Sequence, residues 1–136
     1  MTTKAFQIIK AVRDRLTAAS FAVSPHYTID GPGDVVVFLD PDTGIETIST
    51  QPTHRKRAHV GVMAAKRFGA GDFALEGCSL IRALEEAVYK GPFPDARDTL
   101  DGTATAIEPG KADFGIDEHD ALVVARLLFA VTYRED

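Results

Sequence analysis

The closing run ALVVARLLFAVTYRED is the strongest constraint in this chain, because a strand drawn through it has no polar side. With a period of two, Val123, Ala125, Leu127, Phe129, Val131 and Tyr133 share one side, and Leu122, Val124, Arg126, Leu128, Ala130 and Thr132 share the other. An antiparallel strand with one wet face should alternate apolar and polar residues, so both faces of the sheet that holds this strand need cover. VVVFLD, residues 35–40, repeats the pattern, with Val35, Val37 and Leu39 opposed to Val36 and Phe38.

Two amphipathic helices are available as cover. Ala5, Ile8, Ile9, Val12, Leu16 and Ala19 form one helical stripe, with Gln7, Lys10 and Asp14 opposite. A second helix, Phe73 to about Tyr89, gathers Phe73, Gly77, Leu80, Leu84, Ala87 and Val88. Asp72 is placed to cap it, Glu76 favours its N-terminal dipole, and Gly91, Pro92 and Pro94 stop it. If both helices pack on one face, another subunit must close the other, since a contiguous apolar patch marks an interface. One helix per face, or a sheet folded over itself, would close the core internally. Periodicity leaves both arrangements open.

IETIST, residues 45–50, follows the turn residues PDTG, which predicts a hairpin with the preceding strand. KRAHVGVMAAKR reads as a long third strand, with Ala58, Val60, Val62 and Ala64 on one side and His59, Gly61, Met63 and Ala65 on the other. SFAVSPHYTIDGPGD reads as a loop, with disorder expected around Gly31. After the second helix come a strand, a Pro-Gly turn, an irregular acidic loop and the closing strand. No βαβ repeat and no internal repeat occurs, so a single α+β domain spanning 1–136 with a mainly antiparallel sheet is expected.

Composition excludes several functions. Fifteen Lys and Arg against twenty Asp and Glu give a net charge of -5, which argues against general affinity for nucleic acid backbone or anionic lipid. The N-terminal MTTKAFQIIKAVRDRL is too charged for a signal peptide, and no apolar run is long enough for a membrane span. A lone cysteine, Cys78, makes no internal disulfide and reads as a small, partly buried filler. His26, His54, His59 and His119 are scattered without metal-ligand spacing. Asp40, Asp42, Gly44 and Glu46 faintly resemble a calcium loop, but the glycine is one position early and no glutamate closes the loop, so a turn is favoured. His119, within DEHD, reads as part of a solvated acidic loop. Ser24, Ser49 and Ser79 lack hydrolase contexts, and the glycine clusters lack phosphate-cradle spacing. No catalytic residue, metal or cofactor is therefore expected.

What remains points to surfaces. Met63, Leu75 and Leu128 are candidate apolar interface contacts, Leu75 because it lies on the polar side of its helix with Arg82 and Glu86; Arg126 is a candidate interface charge. Arg55, Lys56 and Arg57, after His54, form the densest basic run. They suit docking on an acidic partner surface or a local touch on DNA, or else a solvated strand end whose charge discourages aggregation.

The element order and the ending FAVTYR resemble the tail terminator family of long-tailed bacteriophages, the group of the lambda minor tail protein U. The resemblance runs through IIKAVRDRL, RKRAHVGVMAAKR, LEGCSLIRALEEAVYKGPFPD and LVVARLLFAVTYRED, nearly the whole length, and lies in layout rather than fixed residues. It implies an α+β subunit that assembles into a ring, typically of six, on the head-proximal end of the tail tube. The ring stops tube polymerisation and presents a surface to head-completion proteins, without covalent chemistry. It also implies assembly in the bacterial host cytoplasm, a place in the virion tail, no membrane, and DNA passing through an acidic lumen without specific binding. With it, the expected fold is a mainly antiparallel β-sheet with two α-helices packed on one face. Two rivals are a head-tail connector or neck protein, and a small ligand-binding or enzymatic domain built around residues such as His59, Asp40 and His119.

Overall fold

The computed structural model describes residues 3–25, 33–68 and 71–135; His26 and the loop around Gly31 lie outside them. Helix α1 (Lys4–Ala18) starts at Thr3, whose hydroxyl accepts the Phe6 N–H at 3.2 Å. Strands β1 (Ala22–Val23), β2 (Asp34–Leu39), β3 (Ile45–Ser49) and β4 (Arg55–Arg67) follow. Helix α2 (Phe73–Tyr89) is capped by Asp72, whose carboxylate accepts the Ala74 N–H at 2.9 Å, and it ends at Lys90 in the left-handed conformation. Strands β5 (Ala106–Asp117) and β6 (Leu122–Arg134) complete the chain.

The sheet has the order β1-β2-β4-β6-β5, with β3 also on β4. Every pairing is antiparallel except β1 with β2. β4 and β6 pair throughout their lengths, placing the two longest strands at the centre. Both helices lie on one face, so the fold is α+β with a mainly antiparallel sheet. Their Ile8, Val12, Leu16, Leu80, Leu84 and Val88 pack with Val35 and Val37 of β2, with Ala58, Val60, Val62 and Ala64 of β4, and with Ala125, Leu127, Phe129 and Val131 of β6. Each large side chain buried there contributes about 1.5–3 kcal/mol relative to exposure. At the β5 edge, Gly77 leaves room for the Phe114 ring against α2, and Phe73 meets that ring edge-on at 6.4 Å.

Three expectations are corrected. β2 and β3 do not form a hairpin: both run antiparallel to β4, end to end along the same edge. His59 alone spans the gap between them, accepting the Asp40 N–H at 2.8 Å and donating to the Gly44 carbonyl at 2.9 Å. PDTG therefore closes an excursion, tied by Gly44 N–H to the Asp40 carbonyl at 2.7 Å, and does not reverse the chain. Second, Pro109 and Gly110 sit in a bulge within β5 rather than in a turn, and the supposed acidic loop pairs with β6 as far as Asp117. Third, Ala22 and Val23, read as loop, form a short parallel edge strand.

One buried charge ties the helices together. Arg15, 7% exposed on the core side of α1, forks onto Asp98 with both contacts at 2.7 Å and donates to the Val88 carbonyl at 2.8 Å. That carbonyl belongs to the last turn of α2, where the helix dipole favours a cation. Hydrogen bonding to Arg15 holds the Asp98 carboxyl below the usual carboxylate range.

Candidate functional site

The face of the sheet opposite the helices carries no helix among the described residues. Strand register places its side chains in rows. Val36, Met63, Arg126 and Asp113 form one row, and Phe38, Gly61 and Leu128 the next. His59, Ala130 and Glu108 follow, then Glu46, Arg57 and Thr132. Gly61 decides the shape of the middle: the Phe38 ring fills the space where a Cβ would stand, and Leu128 Cδ2 comes within 3.0 Å of the same point. A half-buried apolar strip of Phe38, Met63 and Leu128, beside the buried Val36, therefore crosses the sheet.

Charged groups flank the strip and are mostly satisfied. Arg126 donates to Asp113 at 2.9 and 3.3 Å, which lowers the Asp113 carboxyl and raises the guanidinium. Glu46 contacts the His59 ring at 2.9 Å and accepts from Arg57 at 3.2 Å; these hydrogen bonds, His59 first, hold its carboxyl below its ordinary value. Asp40 is lowered chiefly by the Asp42 N–H and next by the Thr43 hydroxyl, so it serves its own turn. Beside the β5 bulge lies a dent of about 330 Å³, lined by Ala130, Leu128 and Pro109 and, among polar groups, by Glu108, Asp40, Lys111, Arg57 and His59. Apolar centre and polar rim are the anatomy of a protein interface.

Of the residues singled out from the sequence, Met63, Arg126 and Leu128 come together on this face. Leu75 does not: it is 65% exposed on α2, across the sheet from the other three. The basic run is divided by strand alternation. Arg55 and Arg57 share the helix-free face, Lys56 opposes Tyr133 on the helix side, and Arg57 is tied to Glu46. They therefore do not make one patch. Cys78 is exposed, not a partly buried filler. His119 sits in the β5–β6 turn, where the Asp117 carboxylate accepts backbone N–H groups of His119 and Asp120 at 3.1 and 3.3 Å. Among the described residues no group of three or more His, Cys, Asp or Glu could hold a metal ion, and no helix is long and apolar enough to cross a membrane.

Sequence reasoning missed Phe38 and Gly61 as a packed pair, and the cluster of Glu46, Arg57 and His59. A glycine inside a long strand was the available signal for the first. The second depended on a pairing that the presumed hairpin hid.

No protein-family model and no curated protein matches the chain. Among solved structures, a chain from the virion of a native gene transfer agent particle superposes with a TM-score of 0.56, over 96% of this chain and 91% of that one, at 14% sequence identity. What the two have in common is their fold, over nearly the full length of both.

Proposed function

We propose that this protein is a structural subunit of a phage-type particle, the tail terminator, working as a ring on the head-proximal end of the tail tube. The observation that carries this reading is the helix-free sheet face, where Met63, Leu128 and Phe38 make an apolar strip between paired charges. A surface of that composition suits contact with further copies of the chain. The likeness to a virion chain supports a structural role in a particle. In this reading the ring stops tube growth, receives the head-completion protein, lets DNA pass through its lumen, and forms in the host cytoplasm before it enters the virion.

Replacing Leu128 with Glu tests the surface. The half-buried side chain touches none of the helix-side core, so the monomer is expected to keep a cooperative unfolding transition. Assemblies seen for the native chain by light scattering across a concentration series are expected to disappear. An unfolded variant, or assemblies of unchanged mass, would count against the proposal.

Arg55, on the helix-free side of the β4 end, is proposed to dock on the tube, with Lys56 on the opposite side as its control. Replacing Arg55 with Gln is expected to weaken tube capping and lengthen tails in a complementation assay, with folding intact, and Lys56→Gln to change little. Arg57→Gln should be made separately, since it also releases Glu46. Tails of native length in all of these variants would remove the docking role.

A further inference from the structure

Phe93 is 73% exposed, more than any other large apolar side chain described. It stands between Pro92 and Pro94, whose rings fix the backbone on both sides, so the phenyl group is presented without much freedom to lose on binding. Lys90 and Arg97 line the same shallow cleft. Of the nearby acids, Asp98 is paired with Arg15, and Asp95 accepts the Arg97 backbone N–H at 2.8 Å, so one carboxylate stands against the two cations. The loop is thus an apolar knob with a net positive charge beside it.

The dent on the helix-free face is its complement. It is lined by the small Ala130 with Leu128 and Pro109, and about 330 Å³ is room for one phenyl group. Glu108 on the rim has Arg57 only at 3.8 Å, while Glu46 holds Arg57 closer at 3.2 Å. Asp40 adds a second negative charge, and Lys111, the other cation of the lining, has Asp113 outside the dent at 3.8 Å. The knob follows α2 on the helix side and the dent lies on the other side of the sheet, so no copy can fill its own.

We infer that Phe93 of one copy seats in the Leu128–Ala130 dent of the next, with Arg97 and Lys90 of the first facing Glu108 and Asp40 of the second. The inference rests on the ring reading and names its contact. Because knob and dent are different surfaces, the contact is head-to-tail, and such contacts close into rings when the rotation between copies permits. An aromatic anchor in a desolvated pocket with a charged rim is where binding energy concentrates.

Complementary variants test it. Phe93→Ser keeps the dent and lacks the knob; Ala130→Tyr keeps the knob and fills the dent. Each alone is expected to need about tenfold or more higher concentration to assemble. An equimolar mixture is expected to give particles of two chains and nothing larger, because one intact contact remains per pair. Should Ala130→Tyr fail to fold, the exposed Glu108→Arg takes its place: alone it weakens assembly, and Arg97→Glu in the same chain restores it. Native-sized assemblies from Phe93→Ser, a mixture without the two-chain particle, or Glu108→Arg without rescue would overturn the contact while leaving the ring standing. A native chain that stays monomeric at every concentration, with and without tube subunits, would overturn both.

Discussion

Arg15→Ala should lower folding stability by about 3–5 kcal/mol, the scale of losing one partner from a buried ion pair. The side chains of Arg15 and Asp98 are 5% and 11% exposed, so alanine at 15 strands the Asp98 carboxylate in a site that water barely reaches. The Val88 carbonyl loses its donor in the same step. Arg15→Met combined with Asp98→Leu should cost much less, because no charge is then left unpaired. Urea unfolding of the three proteins checks this, and similar losses in the single and double variants would mean that the pair itself is the source of stability. The pH response follows from the same contact. Folding depresses the Asp98 carboxyl below its unfolded value of about 3.9, so its contribution is full above that value and fades as pH falls through the lower, folded one. The native chain should therefore lose stability on acidification below about pH 4 more steeply than the double variant.

Gly110→Ala should cost about 1–3 kcal/mol and weaken assembly with it. A Cβ there would stand 2.6 Å from the Leu128 carbonyl oxygen and 3.1 Å from its carbon, and both are backbone atoms that no side-chain rotation can move aside. Relief requires β5 and β6 to part at the bulge between Pro109 and Ala112, which displaces Leu128, part of the lining of the dent. Gly115→Ala on the same strand is the control: its Cβ would meet nothing within 4 Å, and it should stay within about 0.5 kcal/mol of the native chain. Equal midpoints for the two variants in thermal unfolding would mean that the bulge tolerates a side chain.

What the sequence made legible was what local chemistry decides. α2 was readable from Asp72 to Tyr89 because cap, stripe and stop signals agree along one segment. β4 and β6 were readable, side by side, from their period of two. The PDTG misreading shows the limit: a Pro-Asp-Thr-Gly sequence closes an excursion as readily as it reverses a chain. Only the length of β4, which accommodates β2 and β3 in succession, decides between them. β5 was lost to a Pro-Gly pair and to the sparse apolar content of an edge strand, although Ala112, Phe114 and Ile116 do alternate. Arg15 was hidden differently. It lies among Val12 and Leu16 on the apolar side of α1, and its partner is 83 residues away, so no local pattern joins them. The surface was half legible for the same reason. Met63, Arg126 and Leu128 share a face because the period of their strands sets it, whereas the exposure of Leu75 on α2 says nothing of which side of the sheet α2 covers.

The excursion from Asp40 to Gly44 has a practical consequence. Because its two ends are each clamped to the single residue His59, the stretches before and after it hold their registers independently. Extra residues spliced in at the exposed Asp42 would lengthen a side branch without sliding either neighbour along β4, and loop growth of that kind adds little entropic cost. The position is thus one where the chain can be lengthened without disturbing the sheet, and, because Asp40 and Thr43 line the dent, an insert there stands beside the proposed contact.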